Sequence, residues 1–426
     1  MIKKTKLKNG TKVLLVPMDS TKAVTLLVLF PVGSRNEHSK INGSSHFIEH
    51  MMFKGTKKRP TTLDISRELD GVGAEYNAFT GKDHTGYYIK TSSEHADLAM
   101  DMLADMLFNS KFEEVEMERE RKVIIEEIHM YEDNPMMFVE ELMEQLLFEG
   151  NSLGWRISGT RQDMETMKRE DVMVHHGMHY RPSKMLVVAA GHLPKNMLKV
   201  LEQKFGTIKE PRIALPKPFP KFVLDDKNFT APKLKLQFKE TEQIQLSVGL
   251  PAFGYEDKRM PALTLLGAIL GGTMSSRLFV EVREKRGLCY FVKAGTNPYK
   301  DIGAFVIQSG LTKGRIEEAI TVIMGELTKV KESGVTKEEL SRAKENIRGK
   351  VILALEGSDE QADFYGKQEL FRKEILSPEQ KLALFDKVKL GDIQKIAKEI
   401  FKTERIRAAM IGPLKDEASL LKLFKI

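Results

Sequence analysis

Cysteine is nearly absent from this sequence of 426 residues, in which Cys289 is the only one. A single cysteine cannot form an intrachain disulfide and cannot supply a zinc site built from several thiolates. Its scarcity is also typical of proteins from a reducing compartment. Any metal site must therefore take its ligands from histidine, aspartate and glutamate.

Long hydrophobic runs are also missing. The longest apolar stretch, residues 24–32, has about half the length that a membrane-spanning helix needs, and it contains a proline. The amino-terminal sequence MIKKTKLKNG is basic, but the apolar segment of a secretory signal peptide does not follow it. We therefore expect no transmembrane segment, no membrane partner and a cytoplasmic location.

A strong excess of one charge is lacking as well. The chain has 67 lysines and arginines against 60 aspartates and glutamates, a net charge of +7, and the basic residues form no cluster. Nucleic-acid-binding proteins usually concentrate positive charge on one face, so we expect no nucleic-acid partner. With 41% hydrophobic and 30% charged residues, the composition is that of a globular protein with more than one domain.

Proline is concentrated near the middle of the chain, where four of the sixteen prolines fall between residues 211 and 220. Such a cluster interrupts regular structure and is typical of a linker. We therefore predict an amino-terminal domain at 1–210, a proline-rich linker at 211–222 and a carboxy-terminal domain at 223–426.

The two halves show the same order of predicted elements. Each has two strands joined by a short turn and then an amphipathic helix, with strands predicted at 75–80 and 85–91 in the first half and at 290–297 and 302–310 in the second. This order predicts a tandem duplication with an offset of about 220 residues. We expect an α+β fold of two homologous domains, each a mostly antiparallel sheet of about five or six strands with packed helices. The alternative is a chance likeness, because α+β halves in general look similar at this level of detail.

Residues 44–56, SSHFIEHMMFKGT, contain His46, Glu49 and His50 in a segment that suits a helix. On a helix, positions i and i+4 lie one turn apart on the same face, so both imidazoles can reach one metal ion. Glu49 lies beside them and can accept a proton from water. This is the H-x-x-E-H arrangement of zinc peptidases. The histidine pair alone would be weak evidence, since most such pairs are solvated or structural; the glutamate makes the pattern much more specific.

A catalytic zinc usually has three protein ligands, so a third must come from elsewhere in the chain. In the predicted helix at 113–131, Glu120 and Glu127 fall on one stripe of the helical wheel. The apolar members of that stripe are Met117, Val123, Ile124, Ile128 and Tyr131. Carboxylates on an apolar stripe are costly unless a positive group meets them, whereas Glu126 lies about 100° away on a charged face. We therefore predict Glu127 as the third ligand and Glu120 as an auxiliary carboxylate near the metal.

Together these features resemble the pitrilysin/insulinase family of inverzincin metallopeptidases. The resemblance rests on HFIEH with a glutamate 77 positions after the second histidine, and on the segments PVGSRNE, NAFTGKDHTGYY, FEGNSLGW and GGTMSSRLFVEVREKRGLCY. It covers nearly the whole chain. At this length the sequence is similar to the half-length branch of the family, which includes the mitochondrial processing peptidase subunits and bacterial homologues.

The resemblance implies a role for each matching residue. It implies one zinc ion per chain, Zn²⁺, with the ligands His46, His50 and Glu127, the general base Glu49 and the auxiliary acid Glu120. It further implies an edge strand at Asn77, Ala78 and Phe79 that binds an extended peptide, and a substrate-binding, transition-state-stabilising pair in the carboxy-terminal domain, Arg283 and Tyr290. In full-length members such a pair faces the zinc from another unit, so we expect a homodimer whose active site is completed by the partner chain.

The sequence thus predicts a zinc-dependent endopeptidase that cleaves extended peptides or unfolded segments, with Glu49 as the base. One alternative is a non-catalytic structural or partner subunit of a peptidase heterodimer, and another is a protein whose zinc is structural. A second histidine cluster, His175, His176 and His179, also offers an i, i+4 pair that could bind a metal. It lacks an intervening glutamate and precedes a turn into a strand, so we interpret it as surface or structural.

Overall fold

A computed structural model describes residues 2–225, 227 and 229–426. The strands are β1 (Lys3–Lys6), β2 (Lys12–Pro17), β3 (Ala23–Phe30), β4 (Glu75–Thr80), β5 (Thr85–Ser92), β6 (Leu186–Gly191), β7 (Lys233–Phe238), β8 (Gln243–Ala252), β9 (Cys289–Pro298), β10 (Gly303–Thr312) and β11 (Arg407–Gly412).

The α-helices lie singly or in runs of up to five between these strands or after the last of them. They are α1 (Ser44–Met51), α2 (Thr62–Asp70), α3 (Ala96–Asn109), α4 (Glu114–Asp133), α5 (Pro135–Leu147), α6 (Arg161–Thr166), α7 (Arg169–His179), α8 (Met197–Lys204), α9 (Met260–Gly271), α10 (Ile316–Ser333), α11 (Lys337–Ala354), α12 (Ser358–Phe371), α13 (Pro378–Asp386), α14 (Leu390–Ile400) and α15 (Glu417–Leu421). Within the described residues, no helix combines the length and apolar character that crossing a bilayer requires.

The chain divides into two compact units. The first unit contains the residues up to Ile128 together with Trp155–Pro220 and Leu353–Ile375, and the second contains His129–Gly154, Lys221–Ile352 and the residues from Leu376 onward. The boundary between Pro220 and Lys221 falls inside the predicted linker at 211–222.

The first unit is built on a six-stranded sheet with the order β1-β2-β6-β3-β5-β4. β2 and β6 pair in parallel, and the other neighbours are antiparallel. β3, with the sequence AVTLLVLF, is central and almost wholly buried, as expected for a strand covered on both faces. One face packs against α1, α3, α4, α7 and α8, and the other against α12.

The second unit repeats this strand order as β7-β11-β8-β10-β9, again with one parallel pair, β7 with β11. β7 begins at Lys233 and β2 at Lys12, a separation of 221 residues; β11 begins at Arg407 and β6 at Leu186, also 221 residues apart. The predicted α+β class, with two domains and mostly antiparallel sheets, is confirmed.

Two helices pack on a sheet whose strands come from the other half of the chain. α5, from the first half, contacts β8 and β11 in the second unit, and α12, from the second half, contacts β3 and β6 in the first unit. Glycine allows the close approach in each case. A Cβ on Gly249 of β8 would lie 2.1 Å from Sδ of Met143, and a Cβ on Gly366 of α12 would lie 2.7 Å from Cδ1 of Leu29. The compact units therefore differ from the contiguous predicted domains 1–210 and 223–426 in these two segments.

Candidate metal centre

α1 presents three polar side chains from the motif on one side of the helix. Phe47, Ile48 and Met51 are fully buried in the core of the first unit. His46 and His50 lie one turn apart on another side, with ring centroids separated by 4.6 Å. The helix thus uses its apolar face for packing and holds both imidazoles on a common side.

The start of α1 is fixed by a carboxylate that the sequence reasoning did not identify. Oε2 of Glu37 accepts hydrogen bonds from Nδ2 of Asn42 (2.9 Å) and the backbone N–H of Gly43 (2.8 Å), and Oε1 accepts from the backbone N–H of Ser45 (2.7 Å). An acidic group at a helix amino terminus satisfies free N–H groups and interacts favourably with the helix dipole. On the other flank, Oγ of Ser45 lies 3.1 Å from Nε2 of His175 on α7. These contacts fix the position of α1, and the ligands with it.

Glu37 is expected to make stability depend on pH. Burial raises its pKa to about 7, and the hydrogen bonds oppose that shift only in part. Because the folded pKa exceeds the unfolded value, the contribution is complete below about pH 4.5 and is lost as pH rises through about 7. Relative to a Glu37→Gln variant, the unfolding free energy of the wild-type protein should fall by up to about 3 kcal/mol between pH 4.5 and 8. Denaturant titrations of both proteins at the two pH values measure this; a difference that stays constant would contradict it.

α4 brings Glu127 to the two histidines. Oε2 of Glu127 lies 3.7 Å from Nε2 of His46 and 3.4 Å from Nε2 of His50. The three ligand atoms lie within 4.8 Å of one another, and among the described residues this is the one group of histidine, cysteine or acidic side chains with such a geometry. Ligand atoms of a tetrahedral zinc ion are about 3.3 Å apart for bonds of about 2.0 Å. Two imidazole nitrogens and one carboxylate oxygen therefore fit a zinc ion.

The rest of α4 has an exposed side and a buried stripe, and the stripe includes Glu120. Glu126 is exposed, and Met117, Glu120, Ile124 and Ile128 form the buried stripe. The assignment of Val123 to that stripe was wrong, because its side chain is 50% exposed. Val123 lies about 100° around the helix from Ile124, so it falls at the edge of the stripe and outside the core.

The electrostatic environment of the site favours a cation. Burial and the neighbouring His50 lower the pKa of His46 to about 4, which keeps its imidazole neutral. Burial also lowers the pKa of His50, but hydrogen bonds to Glu120 and Glu127 outweigh this and raise it to about 9. Protonated His50 thus supplies a positive charge that the carboxylates attract. A metal ion would take over that role and hold both imidazoles as neutral ligands.

Glu49 is positioned by Thr80, the last residue of β4. Oγ1 of Thr80 donates a hydrogen bond to Oε2 of Glu49, with the two oxygens 2.5 Å apart. Burial raises the pKa of Glu49, and the Thr80 hydrogen bond opposes that shift. A raised pKa moves a carboxylate towards the range in which it can take up and release a proton near neutral pH.

The segment Asn77, Ala78 and Phe79 lies in β4, the edge strand of the first sheet. Among the described strands β4 pairs with β5 alone, so its other edge can accept an added strand. Oδ1 of Asn77 accepts a hydrogen bond from the N–H of Ala78, and the Phe79 ring packs edge-on against His84. An incoming peptide would thus find an edge with exposed Asn77 and half-buried Phe79.

Arg283 and Tyr290 lie together in the second unit. The Arg283 guanidinium carbon is 5.5 Å from the centre of the Tyr290 ring and 4.7 Å from that of Phe279. Arg283 belongs to a π-helical segment, Phe279–Glu284, and Tyr290 is the second residue of β9. Tyr290 is 70% exposed, so its hydroxyl is open to a ligand or a partner chain.

The second histidine cluster is structural. His175 and His179 are buried on α7, and their rings lie 4.5 Å apart. Burial lowers the pKa of His175 well below its usual value and that of His176 and His179 to about 4, so all three are neutral at physiological pH. Of the two readings left open by the sequence, surface or structural, the structure supports the second.

Bacterial proteins are similar to this chain over nearly its whole length. A protein of Bacillus subtilis described as an uncharacterized zinc protease is 34% identical over 97% of this chain and 98% of its own length. Another of that description, from Streptomyces coelicolor, is 34% identical over 98% of this chain and 90% of its own.

Solved structures share the fold across the whole chain. A protease from Helicobacter pylori superposes with a TM-score of 0.90 at 24% identity, covering 97% of this chain and all of that one. A chain of complex III from Candida albicans gives a TM-score of 0.83 at 17% identity, with both chains covered completely.

Family sequence models account for both halves. Residues 12–161 match "Insulinase (Peptidase family M16)", and residues 166–347 match "Peptidase M16 inactive domain". Together with the full-length similarity to the bacterial proteins, these matches show that the chain belongs to the insulinase family of peptidases, family M16.

Proposed function

We propose that the protein is a zinc-dependent endopeptidase that cleaves extended peptides or unfolded segments in the cytoplasm, without a nucleic-acid or membrane partner. The observation that carries the proposal is the convergence of Nε2 of His46, Nε2 of His50 and Oε2 of Glu127, with Glu49 one residue from a ligand. The bacterial relatives described as zinc proteases support the same chemistry.

In this proposal His46, His50 and Glu127 hold one zinc ion per chain. Bound zinc supplies Lewis acidity, which polarises a substrate carbonyl and makes water a stronger nucleophile. Glu49 accepts the proton of the attacking water and passes it to the leaving amine.

Two further groups position and stabilise the reacting peptide. The open edge of β4 at Asn77, Ala78 and Phe79 aligns the peptide backbone by strand addition. Tyr290 donates a hydrogen bond to the oxyanion that develops, and Arg283 binds the substrate.

The rival is a non-catalytic subunit. It is favoured by the shared fold with a complex III chain and by the description of the second family model as an inactive domain. Against it, the chain keeps the whole candidate set of ligands and the base. A purely structural zinc site is the third possibility, but such a site has no use for a half-buried glutamate beside its ligands.

Metal analysis followed by a peptide assay separates the three. The purified protein should contain zinc and cleave a fluorescence-quenched peptide, and a chelator should abolish cleavage while added zinc restores it. Zinc without cleavage would support a structural metal, and neither zinc nor cleavage would support a non-catalytic subunit.

We further propose that the active unit is a homodimer in which the zinc site of one protomer works with Arg283 and Tyr290 of its partner. This rests on the family resemblance and on the presence of both parts in one chain. A Glu49→Gln protein and an Arg283→Ala, Tyr290→Phe protein, each inactive alone, should regain activity when mixed. Random exchange makes half of the dimers mixed, each with one intact site, so about a quarter of wild-type activity should return.

Subunit exchange must be measured independently in this experiment, for example by energy transfer between labelled protomers. Exchange without recovered activity would contradict completion of the site in trans.

A further inference from the structure

The Nδ1 atoms of His46 and His50, which face away from the proposed metal position, have different surroundings. Nδ1 of His46 is buried and has no hydrogen-bond partner in the part of the chain that the structure describes. Nδ1 of His50 lies 3.1 Å from Oε2 of Glu120. A carboxylate at Nδ1 fixes the tautomer and ring orientation of a metal-ligating histidine, so Glu120 can orient His50 alone.

Glu120 is in turn held by a lysine. Nζ of Lys54 lies 2.6 Å from Oε1 of Glu120, the oxygen that His50 does not use. The Glu120 side chain is 6% exposed and that of Lys54 is 22% exposed, so water screens the pair only weakly. The backbone fixes this placement, because Lys54 precedes Gly55, which has a φ of +103° and where a Cβ would lie 2.3 Å from the carbonyl oxygen of Pro60.

Lys54 also contributes to the charge balance of the site. Glu49, Glu120 and Glu127 place three carboxylates around the two histidines. Among the described residues, Lys54 is the one lysine or arginine that forms an ion pair with any of them. Lys54 and one divalent cation together neutralise the three carboxylates when both imidazoles are neutral. Without the lysine, Glu120 would be a buried carboxylate paired only with His50, which is costly.

We propose that Lys54 is a positioning residue of the zinc site, which holds Glu120 so that Glu120 keeps the proton of His50 on Nδ1 and leaves Nε2 for the metal. This inference deepens the proposed function and rests on it. Lys54 acts through Glu120 and touches neither the metal nor the substrate.

Zinc affinity measured by competition with a chromophoric chelator tests this role. Lys54→Met and Lys54→Gln should each weaken zinc binding about 10- to 100-fold, the usual effect of losing an outer-shell partner. Lys54→Arg should bind zinc about as tightly as the wild-type protein, because a guanidinium can form the same ion pair with Glu120. Lys57→Met is the matched control, since Lys57 is exposed and forms no ion pair among the described residues, and it should bind zinc like the wild-type protein.

A double-mutant cycle shows whether Lys54 acts through Glu120. Glu120→Gln should itself weaken zinc binding, and adding Lys54→Met to it should change the affinity by no more than about twofold. Losses that multiply would contradict the proposal, because they would mean that the two residues act independently.

The remaining outcomes are also decisive. A wild-type protein that binds no zinc would overturn the proposed function itself. If Lys54→Met and Lys54→Gln both bind zinc as tightly as the wild-type protein, this inference alone is overturned and the proposed function stands. The metal-free variants should fold, as judged by circular dichroism, because a positioning role does not require Lys54 for folding; loss of folding in both would contradict the proposal too.

Discussion

Replacing Glu49 with glutamine (Glu49→Gln) is expected to lower kcat for a quenched peptide by about 10²- to 10⁴-fold, the usual contribution of a positioned general base. The amide keeps the size of the side chain and can still interact with Oγ1 of Thr80, but it cannot accept a proton from water. His46, His50 and Glu127 are untouched, so one equivalent of zinc should remain bound. Steady-state kinetics and metal analysis of the same preparation measure both quantities.

Two controls give this experiment its meaning. The thermal unfolding midpoint of Glu49→Gln should be close to that of the wild-type protein, which separates loss of chemistry from loss of folding. KM should change little, because Glu49 is not proposed to bind the peptide. Wild-type kcat in a well-folded, zinc-loaded variant would contradict the role of Glu49 as the base.

Replacing Glu127 with alanine is expected to weaken zinc binding at least about 100-fold, beyond the 10- to 100-fold typical of outer-shell partners. The adjacent Glu126→Ala is the matched control, since it makes the same chemical change at an exposed position one residue away. It should bind zinc as tightly as the wild-type protein and retain activity. His46→Ala and His50→Ala should behave like Glu127→Ala.

These two variants show which glutamate of α4 is the third ligand. If Glu126→Ala lost zinc and Glu127→Ala kept it, the assignment of Glu127 would be wrong. That assignment rests on the helical wheel and on the position of Oε2 of Glu127 near the two Nε2 atoms. Equal binding by both would mean that a different residue completes the site.

The parts of the candidate site that sequence reasoning reached are those that depend on local periodicity. His46 and His50 are one helical turn apart, and Glu120 and Glu127 share a stripe, so the wheel alone places each pair on one face. The fold class was accessible for a similar reason, since hairpins and amphipathic helices recur along the chain at an offset of about 220 residues. Val123 shows the limit of the method, because a wheel does not show where the core ends.

The contacts that fix these residues in place were not accessible in the same way. Three such contacts join residues through the tertiary fold: Glu37 with the start of α1, Thr80 with Glu49, and Lys54 with Glu120. In the sequence alone, nothing distinguishes Thr80 or Lys54 from a typical surface residue. Glu37 had one detectable signal, an acidic residue shortly before a helix start. The packing of α5 and α12 on sheets built by the other half of the chain had none, because the sequence of a helix does not show which of two sheets it covers.

The central claim is that this chain hydrolyses peptides with one zinc ion held by α1 and α4. The most direct test is to titrate the metal-free protein with zinc while following peptide cleavage. The account predicts that the rate rises linearly and reaches its plateau at one equivalent of zinc per chain, and that Glu49→Gln binds the same equivalent without cleavage. A rate that is already maximal in the metal-free protein, or no cleavage at full zinc occupancy, would contradict it.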